Sequence, residues 1–286
     1  VQSSVGSIFQ DSRGYMWFGT WGGISRYDGK EFWSYRNSAF RVTGICEDNK
    51  KTLWVGTTAG LARLAFGDSS FQWMKPSNGT LPSDYVTTIL RDKDGNMWVG
   101  TDKGLVVFTS SGQSVVFDRE RGLQDDYISG VKEDSTGAIF IGSGRGIMRC
   151  RLRDAELIDS QELLKGTITG AMIVLRNGNI LAGSVGDRTV IQYQDGAWQT
   201  VFSFKALDPS LHVPSLGEDE QGNIWIGTTS GLVVVKDGQA ARISRSQGLP
   251  NQYIGAIYRD REDILWFGTE GGVLKLASTT FRSYNY

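Results

Sequence analysis

Several residue types are scarce in this chain of 286 residues, and their scarcity excludes classes of function. His212 is the only histidine, so a histidine-rich metal site or a mechanism with histidine as general base has a single candidate. The 30 basic and 31 acidic residues nearly cancel without local clusters, which argues against a nucleic-acid partner. No apolar run approaches the roughly 18 residues of a membrane-spanning helix. The chain starts directly in a repeat, which we interpret as a mature or excised segment.

Cysteine is equally sparse, with only Cys46 and Cys150. They fall in the second and fourth of the repeats described next, so a disulfide between them is not expected. Unpaired thiols occur both in reducing compartments and in large secreted proteins, and cysteine therefore leaves the compartment open.

A short phrase recurs through the whole chain. Each copy has a glycine followed by threonine or serine, and most copies have tryptophan two residues before the glycine. The glycines are Gly19, Gly56, Gly100, Gly142, Gly183, Gly227 and Gly268. A repeat of about 40 residues with strand-like content predicts propeller blades, because one such unit does not bury its own faces and must stack on neighbours.

The third unit shows the expected blade most clearly. We predict strands at 86–90, 97–101, 104–108 and 114–117, with glycine and asparagine supplying the positive φ of the first hairpin turn. Seven such units predict an all-β fold, a seven-bladed β-propeller of four-stranded antiparallel blades, as a single domain over residues 1–286. The approximate blades are 1–38, 39–82, 83–124, 125–165, 166–209, 210–250 and 251–286. Each blade is expected to be contiguous; the alternative is a blade completed by strands from both termini.

Side-chain spacing predicts how each blade is built. Apolar residues three apart in the first strand, such as Val5 and Ile8, indicate a bulge, and the small residues between them are expected to line a central channel. The tryptophans of the second strands are predicted to form a belt between blades, as core rather than a ligand cage. A recurring aspartate is interpreted as turn chemistry, not as paired catalytic carboxylates; its members are Asp11, Asp48, Asp92, Asp134, Asp219 and Asp260.

The consensus reads apolar pair, Asp, turn with Gly, Trp, apolar residue, Gly-Thr, two variable residues and Gly-Leu, and it resembles the two-component regulator propeller repeat. The best copies are 8–23, 45–61, 89–105, 216–232 and 257–273. The fourth unit departs with Phe140 in place of tryptophan, and the fifth has Leu175 for aspartate and Leu181 for tryptophan. A repeat that breaks its consensus has either been freed for binding or has drifted because its neighbours carry it, and we favour drift.

The resemblance implies an extracytoplasmic sensor region of a membrane-spanning kinase or cyclase, often one that senses carbohydrate-like ligands. We therefore predict a non-enzymatic ligand-recognition domain of a bacterial signal-transduction receptor, periplasmic or extracellular, with a small-molecule or oligosaccharide ligand and with membrane contact only through other domains. The alternatives are a protein–protein interaction scaffold and an enzyme similar to virginiamycin B lyase. Those lyases use histidine, glutamate and a divalent cation, a set that His212 beside Pro214 does not assemble. No catalytic residue, metal site or cofactor is predicted.

The inter-blade connections and the loops after each Gly-Thr are expected at one face, around the channel mouth. Aromatic and charged residues there are the candidate ligand-binding residues: Trp21, Arg41, Tyr85, Asp102, Lys103, Tyr127, Arg145, Arg188, His212, Tyr253 and Glu270. Planar side chains with polar tips suit sugar rings or peptide side chains, and Arg145 with Arg188 is a candidate pair for a carboxylate or sulfate. For any one tyrosine, covering a blade edge is the simpler interpretation; as a group they predict a binding face.

Overall fold

The turn-rich repeats fold into strands of 3 to 10 residues. The computed structural model describes residues 4–36, 40–65, 67–68, 70–185, 187–205, 212–245, 249–277 and 280–284, and within these ranges 28 strands form seven four-stranded antiparallel sheets. Each sheet takes its strands from consecutive sequence, in chain order. The predicted fold class, a seven-bladed β-propeller of four-stranded antiparallel blades, is confirmed.

The first four blades follow the chain from residue 5 to residue 165. Blade 1 contains β1 (Val5–Gln10), β2 (Met16–Thr20), β3 (Gly23–Tyr27) and β4 (Phe32–Arg36); blade 2 contains β5 (Val42–Glu47), β6 (Leu53–Thr57), β7 (Gly60–Leu64) and β8 (Gln72–Met74); blade 3 contains β9 (Val86–Arg91), β10 (Met97–Thr101), β11 (Gly104–Phe108) and β12 (Ser114–Phe117); blade 4 contains β13 (Ile128–Glu133), β14 (Ile139–Ser143), β15 (Gly146–Arg153) and β16 (Glu156–Lys165). The strands predicted for the third unit are confirmed, with β9 one residue longer than expected.

The remaining three blades repeat the pattern. Blade 5 contains β17 (Thr169–Val174), β18 (Ile180–Ser184), β19 (Thr189–Gln194) and β20 (Ala197–Ser203); blade 6 contains β21 (Ser215–Glu218), β22 (Ile224–Thr228), β23 (Gly231–Lys236) and β24 (Gln239–Ile243); blade 7 contains β25 (Ile254–Arg259), β26 (Leu265–Thr269), β27 (Gly272–Ala277) and β28 (Thr280–Tyr284). The contacts divide the chain into two compact units, Ala39–Thr169 with blades 2 to 4, and Val1–Ser38 together with Gly170–Tyr286 with blades 1, 5, 6 and 7.

The predicted bulge interrupts the first strand of five blades. In blade 1, Val5 pairs with Thr20 and Ser7 pairs with Gly19, so the register skips Gly6. The same shift occurs in blades 2, 3, 4 and 7, where it skips Thr43, Thr87, Ser129 and Gly255. A bulge changes the side to which the following side chains point. Val5 and Ile8 are consequently both buried despite their three-residue spacing.

The hairpin aspartate binds both its own turn and the tryptophan of the next strand. In blade 7, Asp260 Oδ1 accepts the backbone N–H of Ile264 at 2.8 Å, and Asp260 Oδ2 accepts the Trp266 indole N–H at 2.7 Å. The same indole bond, at 2.8 to 3.0 Å, occurs in blades 1, 2, 3 and 6. Turn capping by aspartate is confirmed. The indole bond was not predicted, although the six-residue spacing from aspartate to tryptophan was present in the sequence.

The glycine of the Gly-Thr phrase is required by the next blade. A Cβ atom on Gly100 would lie 2.7 Å from Ile128 Cγ2, and one on Gly56 would lie 2.6 Å from Val86 Cγ1. The hydroxyl that follows fixes the turn to the third strand, because Thr101 Oγ1 donates to the Gly104 carbonyl oxygen at 2.8 Å. The phrase therefore combines close blade contact with turn capping.

The predicted belt of tryptophans between blades is confirmed within each compact unit. The Trp54 ring lies 5.3 Å from Phe108 of the next blade, and the Trp266 ring lies 5.9 Å from Phe18 of blade 1. All five second-strand tryptophans are at most 8% exposed: Trp17, Trp54, Trp98, Trp225 and Trp266. Aromatic pairs at these distances add to the hydrophobic stabilisation of the blade contacts.

Two tryptophans outside this belt are exposed. Trp21 is 47% exposed in the turn after Thr20, and Trp33 is 39% exposed on the outer strand β4. Neither position lies on a second strand.

Blade 5 keeps its packing through a different chemistry. Leu175 and Leu181, which replace aspartate and tryptophan, are buried in one apolar cluster with Leu216 of blade 6. Because the indole donor and the carboxylate acceptor are both absent, neither is left buried without a partner. The turn after Ser184 is also two residues longer than in other blades, because Ser184 pairs with Thr189.

The two cysteines are free, as expected, and Cys150 is buried. Among the residues with described structure, no helix has the length and apolar character needed to cross a membrane.

Candidate functional site

The two sets of candidate residues, before the first strand and after the Gly-Thr phrase, are joined by backbone hydrogen bonds. The N–H of Asp102 donates to the Tyr85 carbonyl oxygen at 3.3 Å, and the N–H of Gly144 donates to the Tyr127 carbonyl oxygen at 3.2 Å. The equivalent bonds run from Thr58 to Arg41 and from Thr229 to His212. In each of these blades the two loops therefore lie side by side, at what we call the Gly-Thr end of the blade.

Blades 3 and 4 bring three candidate residues into one cluster. Tyr85 and Tyr127 are 42% and 44% exposed, and Asp102 lies in the loop that is bonded to Tyr85. Burial raises the pKa of Tyr127, and the nearby Tyr85 and Asp102 raise it further. Within the described ranges, Asp102 Oδ1 is buried and has no hydrogen-bond partner. The three side chains are therefore close neighbours, and one carboxylate oxygen among them is unsatisfied.

A fourth residue, Asp125, joins this group from the linker that precedes blade 4. A Cβ atom on Gly144 would lie 2.6 Å from Asp125 Oδ2 and 3.8 Å from Tyr127 Cδ1, so both side chains lie over the Gly144 backbone. We call Tyr85, Asp102, Asp125 and Tyr127 the tyrosine–aspartate cluster. Asp125 is not among the residues predicted from the sequence, although its position two residues before Tyr127 in a polar linker is a usable signal.

Three basic candidates occupy the same end of blades 2 to 4. Arg41 is half-buried, whereas Lys103 and Arg145 are exposed. Arg145 lines a concavity of about 340 Å³ with Gln124, Glu162, Lys165 and Gly166. Gln124 Nε2 donates to the Arg145 carbonyl oxygen at 3.3 Å, which fixes this loop against the blade 3 to blade 4 linker.

The other compact unit carries the remaining five candidates. Trp21 and Glu270 are exposed, each directly after a Gly-Thr phrase, and His212 is exposed with its backbone bonded to Thr229. The Tyr253 ring lies over Gly255, where a Cβ atom would come within 2.7 Å of Tyr253 Cε1. Arg188 is half-buried in the longer turn of blade 5, with a φ of 51°.

The structure thus groups Tyr85, Asp102 and Tyr127, and places Arg41, Lys103 and Arg145 at the same end of their own blades. Arg145 and Arg188 belong to different units, and their joint action on an anion stays a prediction. Histidine, cysteine, aspartate and glutamate do not converge in groups of three or more that would hold a metal ion in the part of the chain described.

Five segments of the chain match the family described as two component regulator propeller, at residues 1–22, 37–59, 80–103, 208–230 and 248–271. They lie in blades 1, 2, 3, 6 and 7, the same five in which the consensus is best preserved. The resemblance to this repeat is confirmed. No curated protein sequence matches the chain.

Solved structures with the same fold include two extracellular domains from one bacterium. The extracellular domain of the hybrid two component system BT4673 from B. thetaiotaomicron is 22% identical with a TM-score of 0.81, and the match covers 100% of this chain and 38% of that one. The corresponding domain of BT3049 is 21% identical, with a TM-score of 0.81 and coverage of 97% and 39%. The chain therefore spans less than half the length of these domains.

A catalytically inactive virginiamycin B lyase from Staphylococcus aureus with quinupristin is also similar. It is 12% identical, has a TM-score of 0.73, and matches over 95% of this chain and 94% of that one. At such identities the likeness to solved structures shows the fold alone.

Proposed function

Because the chain carries two-component regulator propeller repeats in five of its seven blades, we propose that it is a ligand-recognition region of a bacterial signal-transduction receptor without enzymatic activity of its own. The match to this repeat is the observation that carries the proposal. The similarity in fold to two extracellular receptor domains supports a periplasmic or extracellular location. Contact with the membrane would run through other parts of the full-length receptor.

The recognition surface that we propose is the Gly-Thr end of the blades, centred on the tyrosine–aspartate cluster. Two exposed tyrosine rings offer apolar faces with polar tips, and the unsatisfied oxygen of Asp102 offers an acceptor. Such rings stack on the apolar faces of sugars, while carboxylates accept hydrogen bonds from sugar hydroxyls. An oligosaccharide or a similar polar small molecule is the ligand class that this surface supports. Signalling further requires that the ligand bind one receptor state more tightly than the other.

A thermal-shift screen of neutral and charged oligosaccharides tests this proposal. A ligand at about 100 times its dissociation constant stabilises the folded chain by about 2.7 kcal/mol, which raises the melting temperature. The doubly substituted Tyr85→Ala, Tyr127→Ala variant should lose that shift. The variant Trp33→Ala, which removes an exposed aromatic from an outer strand, should keep it.

Other outcomes favour the alternatives. If no small ligand shifts the melting temperature and a purified protein partner binds the same surface, the chain is an interaction scaffold. Turnover of a substrate that is abolished by His212→Ala would support the lyase alternative and contradict the non-enzymatic proposal.

A further inference from the structure

We propose that the tyrosine–aspartate cluster binds a positively charged amine or guanidinium group carried by the ligand. This inference rests on the proposed recognition surface and specifies its chemistry. It depends on two independent features of the cluster, namely open aromatic faces and carboxylates that the chain itself leaves without a cation.

The first feature is the exposure of the two tyrosine side chains, 42% for Tyr85 and 44% for Tyr127. Elsewhere the chain covers aromatic rings with its own cations: the Arg63 guanidinium lies 4.7 Å from the Trp54 ring centroid, and the Lys275 ammonium lies 4.9 Å from that of Trp266. None of the cation–ring contacts in the described ranges involves Tyr85 or Tyr127. An external cation within about 6 Å of these rings would gain the same electrostatic attraction.

The second feature is the uncompensated carboxylates. Asp102 Oδ1 is buried without a partner, and no ion pair in the described part of the chain involves Asp102 or Asp125. Among the described residues, Asp125 Oδ1 accepts only a neutral donor, the backbone N–H of Asp126 at 2.9 Å, whereas both oxygens of the hairpin aspartate Asp260 are hydrogen-bonded. A buried carboxylate oxygen without a donor is costly, and a charged donor compensates it better than a neutral hydroxyl.

The basic residues nearby do not supply that charge. Lys103 follows Asp102 in the same turn, and Arg145 follows Gly144, yet neither forms an ion pair with Asp102 or Asp125 in the ranges described. Both side chains are exposed, so water screens their effect on the cluster. The combination of ring faces and carboxylates therefore favours a cation over a neutral or anionic group.

An organic cation has two sources, an amino sugar and a basic side chain of a protein, and matched probes distinguish them. We would titrate the full chain calorimetrically with a β-1,4-linked glucosamine trisaccharide and with its N-acetylated form, which lacks the charge. A lysine-containing pentapeptide and the same peptide with norleucine provide the second pair. We expect at least one charged probe to bind more tightly than its neutral match by about tenfold or more.

Two variants test whether the cluster is responsible. Asp102→Asn keeps the shape of the side chain and removes its charge, and it should lower the affinity for the charged probe by about tenfold. Asp94→Asn removes an equal charge from an exposed residue at the opposite, hairpin end of blade 3, and it should change the affinity by less than about twofold. If Asp102→Asn does not fold, Tyr127→Leu replaces it, because removal of one ring should also lower the affinity for the charged probe.

The results separate this inference from the proposed function. Preference for the charged trisaccharide identifies an amino sugar, and preference for the lysine peptide alone identifies a protein side chain. If the N-acetylated and free trisaccharides bind equally and Tyr127→Leu abolishes both interactions, the requirement for a positive charge is contradicted, but the surface still recognises sugars. An affinity for the charged probe unchanged by both cluster variants, or no binding of either charged probe, would also overturn the inference. Hits in the oligosaccharide screen would still stand in that case.

Discussion

The hairpin aspartate has a second hydrogen-bond partner besides its turn, the indole N–H of tryptophan. In blade 2, Asp48 Oδ1 caps the turn through the backbone N–H of Thr52 at 2.9 Å, and Asp48 Oδ2 accepts the Trp54 indole N–H at 2.8 Å. Two oxygens thus serve two elements, the turn and the second strand. Removal of the carboxylate or of the indole leaves the remaining group without its hydrogen-bond partner at a site that is partly shielded from water.

Trp54→Phe should therefore destabilise the chain by about 1 to 2 kcal/mol, because it preserves an aromatic ring but removes the donor to Asp48. Chemical denaturation measures the loss. The matched substitution Trp33→Phe, at an exposed position, should change the free energy of unfolding by less than about 0.5 kcal/mol. Equal effects of the two substitutions would contradict the role of the indole bond.

The thiols provide a prediction about pH. Burial raises the pKa of Cys150 from 9.0 to about 12, and burial also raises the pKa of Cys46. At about pH 8 a thiol-reactive dye should label neither residue in the native chain and both after denaturation, since the thiolate is the reactive form.

The raised pKa of Cys150 also makes the stability of the folded chain depend on pH. The native state favours the neutral Cys150 thiol, so its contribution is fully present below the ordinary cysteine pKa and is lost as the pH rises towards about 12. The variant Cys150→Ala should lose less stability than the natural chain between about pH 9 and the upper end of this range. Parallel pH profiles for the two proteins would contradict the assignment.

Neighbouring strands approach so closely at the Gly-Thr phrase that one methyl group matters. In blade 3 the added Cβ on Gly100 would meet Ile128 Cγ2 and Thr88 Cγ2, both at 2.7 Å. In blade 5 the corresponding Cβ on Gly183 would lie 3.4 Å from Val213, which is ordinary contact. Blade 5 therefore has room for a side chain in the phrase where blade 3 does not.

Gly100→Ala should cost about 1 to 3 kcal/mol through overpacking, whereas Gly183→Ala should cost less than about 1 kcal/mol. The pair is matched, since both glycines precede a hydroxyl residue on a second strand. Thermal melting of the two variants decides the point. A larger loss of stability in Gly183→Ala would contradict the greater clearance around Gly183 in blade 5.

The sequence predicts the strands and bulges well because both follow from local periodicity. The spacing of Val5 and Ile8 is enough to place a bulge, and the turn residues are enough to bound each strand. The site is predicted only in part. Tyr85, Asp102 and Tyr127 were found as loop residues, but their grouping and the addition of Asp125 depend on how linkers cross from one blade to the next, which no short-range pattern encodes.

The first and last blades belong to the same compact unit, and their contact is aromatic. The Trp266 ring of blade 7 lies 5.9 Å from Phe18 of blade 1 and 5.9 Å from Tyr284, and Tyr284 in turn lies 5.8 Å from Tyr27. A side-chain cluster thus joins strands that are more than two hundred residues apart in the chain. Stability in one blade is consequently coupled to packing in the other.

Trp266→Ala and Trp17→Ala should each cost about 3 to 5 kcal/mol as core truncations. For Trp266→Ala, hydrogen exchange should become faster in β1 to β3 as well as in blade 7. The control Trp198→Ala removes a half-buried ring on the outer strand of blade 5 and should leave blade 1 unchanged. Exchange confined to blade 7 in the Trp266 variant would contradict the coupling.

The bond between aspartate and indole also constrains how such a repeat diverges. A blade that loses only the carboxylate leaves a buried indole N–H without an acceptor, whereas a blade that loses only the indole keeps an aspartate whose Oδ1 still accepts turn N–H groups, as Asp134 does beside Phe140. The mutational route from an Asp–Trp blade to one like blade 5, with Leu175 and Leu181, therefore has a favoured direction in which tryptophan is replaced first. Blade 4 has the composition of the intermediate on that route.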